Sequence, residues 1–142
     1  MQLRNTIDID ATPERVWEVL GELSATDEWL PGTIRTEVRG TRRVCTMVDG
    51  PEVHEEITDY RPVERSFSFR HVQVPLPVRD SGGSFAVLPQ ANGSSTVVLE
   101  SSFTALEARE AEQIGHMVEA AFQRALESLK RRIEQGKRWH AE

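Results

Sequence analysis

The period of the hydrophobic pattern changes once along this chain, near Glu107. Before that residue, apolar and polar residues alternate in short runs, which is typical of half-buried β-strands. After it, apolar residues recur every three or four positions, which predicts one long helix over about residues 107–135, ended at Gly136. A helix of about 28 residues spans roughly 40 Å at 1.5 Å per residue, so it must lie across a sheet that covers its apolar face.

Two short helices are predicted near the start of the chain. Thr12 is a suitable N-cap, Pro13 favours the first helical position, and Glu14 places negative charge in the first turn. Ser24 is expected to cap a second short helix that runs to about Trp29. Both helices follow a first alternating segment whose apolar face carries Leu3, Asn5, Ile7 and Ile9.

Turn signals divide the region between the short helices and the long helix into six predicted strands. The signals are Gly40, the Asp49-Gly50-Pro51 turn, Pro62, the segment "PLPV" and Asn92-Gly93. With the first alternating segment they make seven strands, and regular short strands of this kind favour an antiparallel sheet. The expected fold is α+β, a seven-stranded antiparallel sheet wrapped around the long C-terminal helix, with a cavity between them.

Charge and composition narrow the function classes. The net charge of −6 disfavours nucleic-acid binding, and no apolar run approaches the roughly 20 residues of a membrane span. The N-terminus lacks the apolar segment of a signal peptide, so we expect a single cytoplasmic domain over residues 1–142. One cysteine, four scattered histidines and no nucleotide-binding motif predict no disulfide, no metal site and no cofactor.

Three parts of the sequence resemble the SRPBCC superfamily of helix-grip proteins. They are "ATPERVWEVLGEL…WLPG", "VDGPEVHEEITDY" with "RSFSFRHVQVPLPVRD", and "GSSTVVLESSF". The superfamily includes START lipid-transfer domains, birch-pollen-allergen-like proteins, plant hormone receptors and polyketide cyclases, and these segments are most similar to its bacterial polyketide cyclase/dehydrase-type branch. The resemblance covers essentially the whole chain and implies a helix-grip fold with an apolar cavity whose mouth is covered by loops.

The resemblance also implies residues of the mouth and of the wall. Glu55 falls where hormone-receptor relatives have a carboxylate facing the cavity, whereas Ser81 stands where an aromatic residue is common. The segments that are similar to gate loops are Asp49, Gly50 and Pro51 in the first loop and Leu76, Pro77 and Val78 in the second.

Strand alternation predicts which side chains face the cavity. Walls that are mostly apolar with a few polar groups are typical of ligand pockets. The expected ligand-binding residues are Arg43, Cys45 and Met47; Val53, Glu55 and Ile57; Phe67, Phe69 and His71; Leu99, Ser101 and Phe103; and, from the long helix, Val118 and Phe122.

The polar members of this set leave alternatives open. Glu55 is a carboxylate at the solvated rim, a partner of Arg43 across the strands, or an anchor for a ligand. His71 is either a strand histidine with satisfied hydrogen bonds or a group that contacts a ligand or transfers a proton. Cys45 is expected to be a small buried apolar residue rather than a nucleophile, and Trp29 either packs in the core or lies at the cavity rim.

Three functions are compatible with this pattern. The first is binding of a small hydrophobic or amphipathic molecule in the cavity, and it is favoured because a fold does not imply a chemistry. The second is a polyketide cyclase/aromatase-type enzyme that uses Glu55, His71 and Arg43 in the same cavity. The third is a protein-interaction module in which the long helix and the gate dock a partner. The sequence indicates neither the ligand nor the oligomeric state.

Overall fold

The computed structural model describes residues 1–140, so the last two residues of the predicted domain lie outside the described residues. The fold is a seven-stranded antiparallel sheet with the order β1-β7-β6-β5-β4-β3-β2 and a long C-terminal helix. The strands are β1 (Gln2–Ile9), β2 (Thr33–Arg39), β3 (Arg42–Met47), β4 (Glu52–Arg61), β5 (Ser66–Gln73), β6 (Val78–Pro89) and β7 (Ser95–Ala105). The helices are α1 (Pro13–Leu20) and α2 (Ala111–Gln135), with 3-10 helices at Leu23–Glu28 and Ala108–Glu110. The predicted α+β helix-grip fold is confirmed.

The two short helices after β1 are present, but the second differs from the prediction. Thr12 caps α1 by accepting a hydrogen bond from the Arg15 backbone N–H at 3.2 Å. The second is a 3-10 helix, and Ser24 does not cap it, because Ser24 already lies inside its first turn. The Ser24 hydroxyl instead donates a hydrogen bond of 2.6 Å to the Glu22 carboxylate.

Helix α2 begins at Ala111 rather than near Glu107 and ends where the sequence predicts. Gly136 adopts the left-handed conformation with φ of 69°, and its N–H bonds to the Arg132 carbonyl at 3.1 Å. The helix packs against β1 and β7. One face of the sheet, α1 and α2 enclose the core, in which Phe67 stacks on Phe85 with ring centroids 5.2 Å apart.

The segment after α2 folds back onto the 3-10 helix Leu23–Glu28. The Trp139 indole N–H donates to the Asp27 carbonyl at 2.7 Å, and the Trp139 backbone N–H donates to the Glu28 carbonyl at 3.3 Å. The Glu28 carboxylate also pairs with Arg132 at 2.8 Å. These contacts fix the position of the 3-10 helix, which carries part of the wall of the site.

The sheet divides at one end. The ladder between β5 and β6 ends at the pair Arg70–Gly82, beyond which β5 stays with β4 and β6 stays with β7. The register of β6 against β7 shifts between Arg79 and Gly82, and Asp80 within this shift has a positive φ of 52°. A shift of this kind is the mark of a β-bulge, which bends a strand and re-aims its side chains. We call the gap between residues 71–73 and 78–81 the slit.

Candidate functional site

A cavity of about 280 Å³ lies between the sheet and α2. For scale, an engineered protein cavity of about 150 Å³ holds benzene, so this one has room for about two rings. Most of the residues predicted from strand alternation lie on its wall. They are Arg43, Cys45, Met47, Val53, Glu55, Phe69, His71, Leu99, Ser101, Phe103, Val118 and Phe122.

Two residues predicted to contact a ligand are corrected by their position. Ile57 and Phe67 face the same side of the sheet as the wall residues, but neither lines the cavity. Phe67 is 1% exposed and packs between Trp17 and Phe85 in the core. Alternation fixes the face of a strand and leaves open how far along that face the cavity extends, which is why these two were misplaced.

The two predicted gate loops differ in their relation to the cavity. Leu76 and Val78 of the second loop lie on its wall, whereas Pro77 between them does not. The first loop, Asp49, Gly50 and Pro51, is exposed and away from the wall. A gating role for either loop stays a prediction.

Part of the wall lies outside the predicted set of ligand-binding residues, although Trp29 was considered for the cavity rim. The loop after the 3-10 helix contributes Trp29, Leu30 and Pro31, so Trp29 both packs in the core, with 2% of its surface exposed, and borders the cavity. Ser81 reaches the wall from the bulge in β6. The adjacent Gly82 was the available signal, because a Cβ there would overlap the backbone carbonyl of the neighbouring strand.

A buried ion pair lies on the wall. The antiparallel register of β3 and β4 places Arg43 opposite Glu55, and Arg43 Nε donates to Glu55 Oε1 at 3.0 Å. Their side chains are 5% and 8% exposed. Arg43 Nη1 also donates to Thr26 Oγ1 at 3.1 Å. Of the alternatives for Glu55, pairing with Arg43 is confirmed and a solvated rim position is excluded.

His71 extends this pair into a cluster of polar groups. Its Nε2 lies 3.7 Å from Glu55 Oε2, and its Nδ1 lies 2.7 Å from Ser81 Oγ. Burial lowers the pKa of His71 below its ordinary value of 6.5; the Glu55 carboxylate opposes this effect and Arg43 adds to it. The imidazole is therefore mainly neutral at pH 7, the form that accepts a proton. We call Arg43, Glu55, His71 and Ser81 the polar cluster.

Other polar groups of the wall differ in whether they have partners. Burial raises the pKa of the Cys45 thiol to about 11, so it stays protonated and forms part of the apolar wall. The Trp29 indole N–H and the Ser101 hydroxyl are buried and have no hydrogen-bond partner among residues 1–140. A buried donor without a partner costs about 1–3 kcal/mol.

Residues 1–140 contain no group of three or more histidine, cysteine, aspartate or glutamate side chains that could hold a metal ion. In the same part of the chain, no helix has the length and hydrophobicity that a membrane span requires.

Several solved structures share this fold. XoxI from Bacillus cereus superposes with a TM-score of 0.88 at 20% identity, covering 94% of this chain and 96% of that one. The di-domain ARO/CYC BexL from the BE-7585A biosynthetic pathway gives 0.83 at 22% identity, over 94% of this chain and 46% of that one. A START superfamily protein from Mycobacterium smegmatis gives 0.79 at 13% identity, over 96% and 99%.

Sequence comparison gives the family directly. No curated protein matches the chain in sequence. Residues 1–134, however, match the family described as polyketide cyclase/dehydrase and lipid transport. Because that match spans nearly the whole chain, the chain belongs to the polyketide cyclase/dehydrase and lipid transport family.

Proposed function

We propose that the protein binds a small hydrophobic or amphipathic molecule in the cavity between the sheet and α2. The observation that carries this proposal is a cavity of about 280 Å³ whose wall is mostly apolar and holds a few polar groups. Ligand pockets have this composition, because apolar burial supplies affinity and a few polar groups fix the orientation. Burial contributes roughly 25 cal/mol per Å² of apolar surface, reduced by the costs of association.

The wall also suits a particular kind of molecule. The charges of Arg43 and Glu55 balance each other, so the ligand needs no charge of its own. The unpartnered Trp29 N–H and Ser101 hydroxyl would gain a partner from a ligand that carries a carbonyl or hydroxyl oxygen. We therefore expect a neutral, oxygen-bearing molecule of about two rings.

Filling the cavity is expected to block binding. Ser101→Trp places an indole inside the wall, and we expect the affinity for a two-ring fluorescent probe such as a naphthalene dye to fall at least about tenfold, equivalent to about 1.4 kcal/mol. Fluorescence titration measures this. Ser84→Trp is the matched control, because Ser84 lies on β6 away from the cavity wall. If both variants bind the probe as the parent protein does, or if diverse apolar probes all fail to bind, the proposal is wrong.

A second function, a polyketide cyclase/aromatase-type reaction, is favoured by the polar cluster itself. A cyclase must fold a poly-β-ketone in a shaped pocket and remove a proton next to a carbonyl. The neutral imidazole of His71 faces the cavity, and Glu55 stands 3.7 Å from it to stabilise the imidazolium that forms. The similarity to BexL in fold agrees with this reading.

The cyclase reading predicts a defined pH dependence. Turnover of a poly-β-ketone mimic should rise with pH as His71 loses its proton, with a midpoint below 6.5 because burial lowers the His71 pKa and the Glu55 and Arg43 charges act in opposite directions. His71→Ala should lower the rate by about 10²–10⁴-fold, the usual contribution of a general base. Product formation followed by absorbance tests both. Unchanged turnover in His71→Ala and in Glu55→Gln would remove this assignment and leave the binding proposal intact.

A further inference from the structure

Three members of the polar cluster form a line of hydroxyl, imidazole and carboxylate. Ser81 Oγ lies 2.7 Å from His71 Nδ1, and the other ring nitrogen, Nε2, lies 3.7 Å from Glu55 Oε2. All three residues line the cavity, and Ser81 and Glu55 are 8% and 6% exposed. A hydroxyl hydrogen-bonded to an imidazole is the arrangement that activates a serine nucleophile, and the Glu55 carboxylate, beyond hydrogen-bond distance at 3.7 Å, acts on the imidazole through its charge.

We propose that the protein is an acyl-transfer enzyme that hydrolyses a small, neutral, largely apolar ester. Ser81 is the nucleophile, His71 is the general base and acid, and the charge of Glu55 stabilises the imidazolium. The inference rests on the proposed function in one respect, that a small apolar molecule enters the cavity.

The backbone around Ser81 supports this role. Ser81 follows Asp80, whose φ of 52° is unfavourable for a residue other than glycine, within the register shift of β6. Such strain costs of order 1–3 kcal/mol and persists where the surrounding structure holds it. Here Ser81 lies on the cavity wall and bonds to His71 across the slit. Bulges that aim a side chain in this way are over-represented beside active sites.

The reaction balances with water as the only co-reactant. Ser81 Oγ bonds to the ester carbonyl carbon while His71 Nδ1 takes the hydroxyl proton; the bond to the alcohol oxygen breaks, and His71 gives that oxygen the proton. Water then attacks the acyl-serine as His71 takes one of its protons. The bond to Ser81 Oγ breaks, the proton returns to Oγ, and the carboxylic acid leaves.

The surroundings suit each charge that develops. Burial keeps His71 neutral at pH 7 and so able to accept the serine proton, and Glu55 favours the imidazolium that results. The same wall carries the Arg43 guanidinium and the unpartnered Trp29 indole N–H, which are groups of the kind that stabilise an oxyanion. The cavity volume limits the ester to about two rings including its acyl group.

Covalent labelling tests the nucleophile. Diisopropyl fluorophosphate is expected to add one diisopropylphosphoryl group, which peptide mass spectrometry places on Ser81. The labelling rate should fall at least about 100-fold in His71→Gln, which loses the base, and vanish in Ser81→Ala. Ser84→Ala on the same strand, away from the cavity wall, should label as the parent protein does. The rate of 4-nitrophenyl acetate hydrolysis should likewise be lost in Ser81→Ala, fall in His71→Gln and stay unchanged in Ser84→Ala.

Binding of the naphthalene probe to the same samples separates this inference from the proposed function. The parent protein and Ser84→Ala, whose residue lies away from the cavity wall, should bind the probe, and circular dichroism checks that Ser81→Ala and His71→Gln are folded. If the parent protein binds the probe but Ser81 is not labelled, acyl transfer is overturned and binding stands. Labelling at another serine, or labelling of Ser81 that His71→Gln leaves unchanged, also overturns it.

Discussion

Replacing Arg43 with methionine is expected to lower the free energy of unfolding by about 3–5 kcal/mol, because it leaves the Glu55 carboxylate buried without its counter-charge. The loss also removes the bond to Thr26 and the contact of the guanidinium with the Phe67 ring, whose centroid is 5.5 Å away. Urea denaturation followed by circular dichroism measures the change. Adding Glu55→Leu should restore much of the lost stability, because the remaining charge is then gone.

The neighbouring ion pair provides a matched control. Arg42 and Glu56 lie opposite each other in the same register of β3 and β4, and Arg42 Nε donates to Glu56 at 3.1 Å. Their side chains are 44% and 29% exposed, so Arg42→Met should lower the free energy of unfolding much less than Arg43→Met does. If Arg42→Met and Arg43→Met lower the free energy of unfolding equally, the Arg43–Glu55 pair is hydrated and not desolvated as described.

Phe67→Ala is expected to lower the free energy of unfolding by about 3–5 kcal/mol, the usual range for truncating a fully buried aromatic residue. Phe67 is 1% exposed and stacks on Phe85, so its removal leaves a new void in the core. Thermal and urea unfolding measure this loss. The comparison is Phe122→Ala, which truncates a half-buried ring on the cavity wall.

The two phenylalanine variants should separate stability from binding. Phe122→Ala widens an existing cavity, so we expect a smaller loss of stability and a larger change in probe affinity than in Phe67→Ala. If Phe67→Ala instead changes probe affinity more than Phe122→Ala does, then Phe67 contacts the ligand and its placement in the core is wrong.

Alternation and turn signals predicted most of the fold because both are local. The period of two placed Glu55, Phe69 and His71 on the inner face, and the turn at residues 49–51 brought Arg43 opposite Glu55. The change to a period of 3.6 predicted α2 and its end at Gly136. The expected cavity followed from a sheet wrapped around a long helix, and the resemblance to helix-grip proteins added the expectation of loops that cover its mouth.

The features that were not predicted are the extent of the cavity along each strand and the irregular backbone conformations. Ile57 and Phe67 are on the inner face of their strands but lie beyond the end of the cavity. Alternation carries no information on where along a strand the cavity ends. Asp80 adopts a positive φ although it is not a glycine, so the adjacent Gly82 was the available sequence signal for the register shift that places Ser81. Leu23–Glu28 is a 3-10 helix with a kink at Ala25, and a capping residue such as Ser24 carries no information on helix type.

The divided sheet has a consequence for how the interior could be reached. Beyond Arg70 and Gly82, the only hydrogen bond joining β5 to β6 among the described residues is the one between His71 and Ser81. Separating residues 71–73 of β5 from residues 78–81 of β6 would break this one side-chain hydrogen bond and no backbone hydrogen bond between the two strands. A ligand could thus enter without any strand unfolding. The hydrogen bond between His71 and Ser81 would re-form only after the two strand ends had come together again. Serine and imidazole would then be aligned only while bulk water is kept out.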